Sequence, residues 1–242
     1  YNKDMFEAAG LDPDSPPTTW AEVEEYSKAI MDAGVAEGGF SMGWPGWNLE
    51  QNFATHDQLY ANNDNGRSGR ANEALFNSEF GVMVLSEWQR MADEGVHVYG
   101  GRNYRANDPF LAQQFPFLFQ STSSLAGILG SAEFEVGTAF LPRWSDEYGA
   151  GNSVVGGGCL WVMDTATPEQ LEVAWDFLKH SFSTERSVAW HKGTGYFPTN
   201  NSAFEQLKAE GWFEEEPNHM TAFDQILSGA DTPAPAGVLL GA

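Results

Sequence analysis

Gly156-Gly157-Gly158-Cys159-Leu160-Trp161-Val162-Met163, followed after a helical segment by Trp190-His191-Lys192-Gly193-Thr194-Gly195-Tyr196-Phe197-Pro198, is the most informative stretch of this chain. A glycine run feeds a short apolar strand, two helices follow, and a Gly-Tyr turn is closed by proline. Glycine lets backbone approach a ligand closely, and tyrosine offers a flat ring carrying one hydroxyl. Upstream, Trp44-Pro45-Gly46-Trp47 adds two large aromatics in a segment where proline and glycine argue against a regular helix. Together the two stretches point to a binding cleft.

The chain's 242 residues hold one large domain or two modest ones, and its 42% hydrophobic and 14% aromatic content is that of a folded globular protein. Its 34 acidic residues against 12 basic ones give a net charge of −22. Such a surface repels phosphate backbones, so a nucleic-acid partner is disfavoured. Only five residues are lysine. That scarcity beside the acid excess favours adaptation to high salt over an ordinary acidic secreted protein, because salt relieves self-repulsion. The single cysteine, Cys159, excludes an intrachain disulfide framework and reads as a small buried hydrophobe in an apolar strand. No run of 18 apolar residues is present to cross a bilayer as a helix. The opening residues, Tyr1-Asn2-Lys3-Asp4, carry no initiator Met and no signal-like segment, and read as the middle of something longer.

Caps announce several helices. Thr19-Trp20-Ala21-Glu22 is a capping box ahead of Trp20, Val23, Ile30 and Ala33, with Gly34 as a stop. A helix from about Glu79 to Glu94 is expected to bury Val82, Leu85, Trp88 and Ala92. Thr167-Pro168-Glu169-Gln170 opens a third, with Leu171, Ala174 and Leu178 as its buried stripe, and Ser202-Ala203-Phe204-Glu205 opens a fourth that closes near Gly211. Phe117 to Phe119, Gly137 to Leu141 and Leu160 to Met163 read as buried strands. Strands alternating with helices favour an α/β architecture.

Trp44 and Trp47 have two readings: they stack on the C–H faces of a sugar or polyol, or they plug the core beneath a loop. Ser121, in Gln120-Ser121-Thr122-Ser123-Ser124, either binds a ligand hydroxyl or anion at a turn start, or simply caps that turn. The glycines around Gly157 lack the spacing of a dinucleotide or P-loop fingerprint, which argues against nucleotide binding. Enzyme signals are weak. The five histidines are scattered, with no HExxH or CxxC companion and no GxSxG elbow, so neither a zinc site nor any other cofactor is expected. Acid pairs such as Glu24-Glu25 read as solvated faces rather than a glycosidase dyad, leaving an acidic secreted glycosidase as the remaining enzyme alternative.

Tyr1-Asn2-Lys3-Asp4-Met5-Phe6-Glu7-Ala8-Ala9-Gly10-Leu11-Asp12-Pro13, with Pro16-Pro17 and Thr19-Trp20, resembles the signature of the extracellular solute-binding proteins of ABC importers. Gly43-Trp44-Pro45-Gly46-Trp47, Ser121 to Ala126, Gly156-Gly157 with Leu160-Trp161-Val162-Met163, and Trp190 to Pro198 are most similar to the branch that binds sugars and glycerol 3-phosphate, near its glycerol-3-phosphate-binding members. The resemblance runs over essentially the whole chain.

That resemblance implies a two-lobe α/β periplasmic-binding-protein type II fold with ligand in an interlobe cleft, closed by a hinge. Residues 1–139 would form lobe two, 140–185 a crossover segment belonging to lobe one, and 186–242 a truncated return to lobe two. Most of lobe one and the C-terminal end would lie outside this chain. By motif, Trp44 and Trp47 would wall the ligand, Ser121 would hydrogen-bond it, Gly157 would offer backbone, and Tyr196 its hydroxyl. The family's C-terminal block carries an arginine that grips phosphate, and Leu239 stands in that place here. The implied function is capture of glycerol 3-phosphate or a related polyol or sugar for an ABC permease, by a monomer outside the cytoplasm and without covalent chemistry. The alternative on the same fold is a neutral oligosaccharide or a glycerophosphodiester.

Overall fold

The structure, a computed structural model, describes residues 1–232, 234 and 237. Leu239 therefore lies outside the described residues. In chain order the elements begin with α1 (Lys3–Ala8), α2 (Trp20–Asp32), β1 (Phe40–Met42) and α3 (Pro45–Thr55). A single turn, α4 (Asn62–Gly66), follows, with Asn63, Asp64 and Asn65 all in the left-handed region. Next come α5 (Glu79–Asp93), α6 (Asn107–Leu111), β2 (Phe117–Phe119) and α7 (Leu125–Ser131). The chain then runs through α8 (Pro168–Ser181), α9 (Thr184–Thr194), α10 (Asn201–Ala209), α11 (Trp212–Glu215) and α12 (Thr221–Ser228). It divides into two units: residues 1–121, 128–155 and 221–242 in the first, and 122–127 with 156–220 in the second.

The first unit is built on a parallel pair. β1 and β2 align Phe40 with Phe117, Ser41 with Leu118 and Met42 with Phe119. Parallel neighbours need a long crossover, and here it contains α3 to α6. Phe6, Trp20, Ile30, Phe40, Phe53 and Val84 are buried in the core around the pair, each contributing on the order of 1.5–3 kcal/mol by leaving water. A smaller cluster joins Phe110, Phe115, Ile128 and Phe134.

Local chemistry sets the helix starts. Thr19 Oγ1 accepts from Glu22 N at 3.2 Å while Glu22 Oε2 accepts from Thr19 N at 3.1 Å, the capping box expected of α2. Gly34, at φ +72, follows its end. α5 has the expected extent but a different buried face. Phe80, Val84, Trp88 and Met91 point inward, whereas Val82 and Leu85 are exposed. The inward set recurs at i, i+4, i+8 and i+11 and brings three of the helix's largest apolar side chains to the core together.

Three further expectations are corrected. Trp44-Pro45-Gly46-Trp47 does not preclude a helix, because α3 begins at Pro45. Proline at the first helical position lacks only an N–H that has no partner there, and glycine costs little in a first turn. Residues 137–141 form no strand. Thr138 Oγ1 instead meets Thr221 Oγ1 at 2.6 Å and Leu141 N donates to Gln225 Oε1 at 3.1 Å, so α12 side chains hold this segment and one of them takes a backbone N–H that a sheet would have used. The third correction concerns Cys159 and Leu160 to Met163. They are exposed rather than in a buried strand, Trp161 at 84%. A strand buries its side chains only when a sheet neighbour pairs with it, and no described residue pairs with this segment.

The second unit is helical among the described residues. α8 carries the expected capping box, with Thr167 Oγ1 accepting from Gln170 N and Gln170 Oε1 accepting from Thr167 N. Its stripe is not buried: Leu171 is exposed and Ala174 and Leu178 are only half-buried. α9 starts at the Ser183 cap, and α10 at Asn200, two residues before the expected opening. Val188, His191, Ala203, Leu207, Phe213 and His219 are buried in this unit.

Candidate functional site

In the first unit the parallel pair ends at Met42 and Phe119, and Gly43 N adds one more rung by donating to Phe119 O at 2.9 Å. Trp44 and Ser121 are therefore each two residues beyond the carboxyl end of a paired strand. In open parallel sheets that end is where ligands are held, because the loops diverge there and leave a crevice.

Trp44 occupies the N-cap of α3 in the left-handed region (φ 52, ψ 63), a costly conformation for a side-chain-bearing residue. Hydrogen bonds hold it there. Asn48 Nδ2 donates to Gly43 O and to Trp44 O, and Trp47 N donates to Trp44 O at 2.9 Å. Trp44 is 37% exposed in this conformation, so it is not a core plug. Its ring meets Tyr104 edge-on at 5.6 Å. Trp47, one turn along at the start of α3, is half-buried.

Gln120 links the two strand ends. A β-carbon on Gly43 would fall 2.2 Å from Gln120 Nε2, so glycine is what lets this amide lie across the backbone. Gln120 Nε2 donates to Asn107 Oδ1 at 2.9 Å and Asn103 O at 3.3 Å, and its Oε1 accepts from Ser121 N at 2.9 Å. One side chain thus ties Ser121 to the 3-10 turn Asn103–Ala106 that presents Tyr104. Trp44, Ser121, Gln120 and Tyr104 form one constellation in the first unit. Tyr104 and Gln120 were not among the expected site residues, and no spacing in the sequence announces them.

Gly157 and Tyr196 are in the second unit. Gly157 is exposed in an irregular segment, with no atom within 4 Å of where a β-carbon would stand. Tyr196 is half-buried and well fixed. His191 Nδ1 lies 2.7 Å from Tyr196 O, and since a carbonyl only accepts, that nitrogen carries the proton. Tyr196 N donates to Thr194 Oγ1 at 3.1 Å, and the Trp190 and Tyr196 rings stack at 6.4 Å. The preceding Gly195 (φ +93) would direct a β-carbon to 2.4 Å from Thr122 O, so the turn requires glycine. Burial pushes the His191 imidazole's pKa down, with the Tyr196 carbonyl opposing, and takes His219 to about 4. Among the described residues, no group of three or more His, Cys, Asp or Glu side chains is arranged to hold a metal ion.

Aromatic and hydroxyl-bearing residues thus gather beyond the ends of two parallel strands. The chain matches the family of bacterial extracellular solute-binding proteins over residues 1–221 and belongs to it. The sn-glycerol-3-phosphate-binding periplasmic protein UgpB of Yersinia pestis bv. Antiqua (strain Antiqua) is 33% identical over 243 residues, covering 100% of this chain and 55% of that protein. UgpB of Mycobacterium tuberculosis, solved in complex with glycerophosphocholine, superposes with a TM-score of 0.72 at 21% identity, over 94% of this chain and 54% of that one. The GacH receptor of Streptomyces glaucescens GLA.O, solved unliganded and with acarbose, gives 0.75 at 17% identity, over 98% and 58%. The fold is that of the periplasmic binding proteins, and the chain spans about half the length of the curated relatives it matches.

Proposed function

We propose that this chain belongs to the substrate-capturing component of an ABC importer and binds a small polyol, sugar or glycerol phosphate outside the cytoplasm. The observation that carries the reading is the pairing of Met42 with Phe119, which puts Trp44 and Ser121 each two residues beyond the carboxyl ends of two parallel strands. The family assignment and the names of the relatives support it. Trp44 and Trp47 supply apolar faces for C–H groups, Ser121 a hydroxyl, Gly157 backbone, and Tyr196 its phenol. Binding, not covalent chemistry, is the function, and the captured solute passes from a monomer to a membrane permease.

Calorimetry with glycerol 3-phosphate, glycerophosphocholine and maltose tests this reading. One ligand of the panel is expected to bind, and Trp44→Ala to weaken it at least tenfold while leaving the urea midpoint nearly unchanged. Equal affinity in the variant would remove Trp44 from the site.

A further inference from the structure

The turn that carries Tyr104 concentrates positive charge in a molecule of net charge −22. Arg102 and Arg105 flank Tyr104, and both are exposed. Six cations elsewhere pair with carboxylates: Lys3 with Asp14 and Glu135, Lys28 and Arg90 with Glu24 and Glu94, Arg143 with Asp146, Lys179 with Asp176, and Lys192 with Glu210. Neither Arg102 nor Arg105 forms an ion pair among the described residues. What sets these two guanidiniums apart is that they stand within four residues of each other, exposed, on the turn that meets Trp44.

The turn is anchored to the middle of β1 and to the residue after β2, by Gly100 N donating to Ser41 Oγ at 2.9 Å and Gln120 Nε2 donating to Asn103 O. Its backbone takes positive φ at Gly101 (+98) and, less commonly for a residue with a side chain, at Asn103 (+59), and the Tyr104 ring meets that of Trp44. We propose that Arg102, Tyr104 and Arg105 form an anion subsite beside Trp44, taking the phosphate of a polyol phosphate or glycerophosphodiester. Guanidinium forks match phosphate oxygens in charge and geometry, and Tyr104 fixes the turn on the aromatic that holds the carbon skeleton. This subsite rests on the reading of Trp44 as a ligand contact.

Isothermal titration of the purified protein with glycerol 3-phosphate, glycerol and maltose, at 50 and 500 mM NaCl, tests it. Glycerol 3-phosphate binding is expected to weaken with salt, and R102Q and R105Q each to lower its affinity roughly tenfold. Any maltose binding should move with neither salt nor these substitutions. Both arginines are exposed, so near-UV circular dichroism of the variants should match the parent. Undetectable glycerol 3-phosphate binding overturns the subsite, as does unchanged affinity in the double variant R102Q/R105Q while Trp44→Ala abolishes it. If instead Trp44→Ala binds every ligand as the parent does, the Trp44 reading itself has failed.

Discussion

Trp20 and Trp144 stack face to face with ring centroids 5.1 Å apart, and both indole N–H groups donate to one acceptor, Asn52 Oδ1, at 3.1 and 2.7 Å. Aromatic burial sets the core of the first unit, and a single amide makes that burial affordable for two polar groups. Asn52→Leu would keep the volume but strand both donors, at about 1–3 kcal/mol for each buried orphan. The expected loss is roughly 2–4 kcal/mol, read as a fall in urea midpoint without a change in m-value. A loss below about 0.5 kcal/mol would mean that water reaches the indoles.

The same corner predicts acid sensitivity. His56 Nε2 accepts from Trp144 N at 2.9 Å, and Nδ1 lies 2.8 Å from Asn52 O, so the ring is neutral with its proton on Nδ1. Burial pushes its pKa from 6.5 to about 4. Between those values the unfolded chain takes up a proton that the folded one refuses, so stability is full above about pH 7 and lost as pH falls toward 4. The loss from this group is about 3 kcal/mol. His56→Gln should begin less stable at pH 7 and fall less steeply between pH 6.5 and 4.5, measured by urea titrations at several pH values. Parallel curves would show that another group carries the slope.

What the sequence reveals and hides divides along locality. The boxes Thr19/Glu22 and Thr167/Gln170 are complete within four residues, and both caps form as read. Trp44 and Ser121 were legible as candidates because glycine, proline and serine mark loops. Their matching places beyond two paired strands were not, since these depend on the Met42–Phe119 register across a crossover. Tyr104 was hidden for the same reason: its partner Trp44 is remote in sequence and the contact is tertiary. The α5 face and the 160–163 segment went astray because apolar content names what would be buried, while the neighbour that buries it is chosen elsewhere in the fold.

Gly43 offers a direct probe of the strand-end constellation. In Gly43→Ala the new methyl would displace Gln120, whose amide is the movable party, rather than the backbone. Stability should drop by no more than about 1 kcal/mol. Ligand affinity should fall several-fold, because Ser121 and the Asn103–Ala106 turn lose their common tie. Gln120→Ala should reproduce the effect, and the double variant should add little to either single one. Additive losses would show that Gly43 acts on binding independently of Gln120.

Salt should act on this protein in two opposing directions. The cluster of Glu24, Lys28, Glu87, Arg90 and Glu94 is attractive, with Arg90 and then Lys28 holding the Glu24 carboxyl at about 2. Arg90 is substantially exposed, so Glu24→Gln is expected to cost only about 1 kcal/mol at low salt and less at high salt. Because that carboxyl is depressed, its contribution is present above about pH 4.5 and lost as pH falls toward 2. Against it stands the repulsion among 34 acidic residues facing 12 basic ones. Screening it, as the Debye length shrinks from about 10 Å at 0.1 M to about 3 Å at 1 M, stabilises the compact state. With a net charge of −22 the repulsion outweighs the attraction within one cluster. The urea midpoint should therefore climb steadily between 0.1 and 2 M KCl, and more steeply in Glu24→Gln, which lacks part of the attraction that salt erodes. A flat or falling midpoint in the parent protein would show that the acid excess is locally compensated and is not an adaptation to salt.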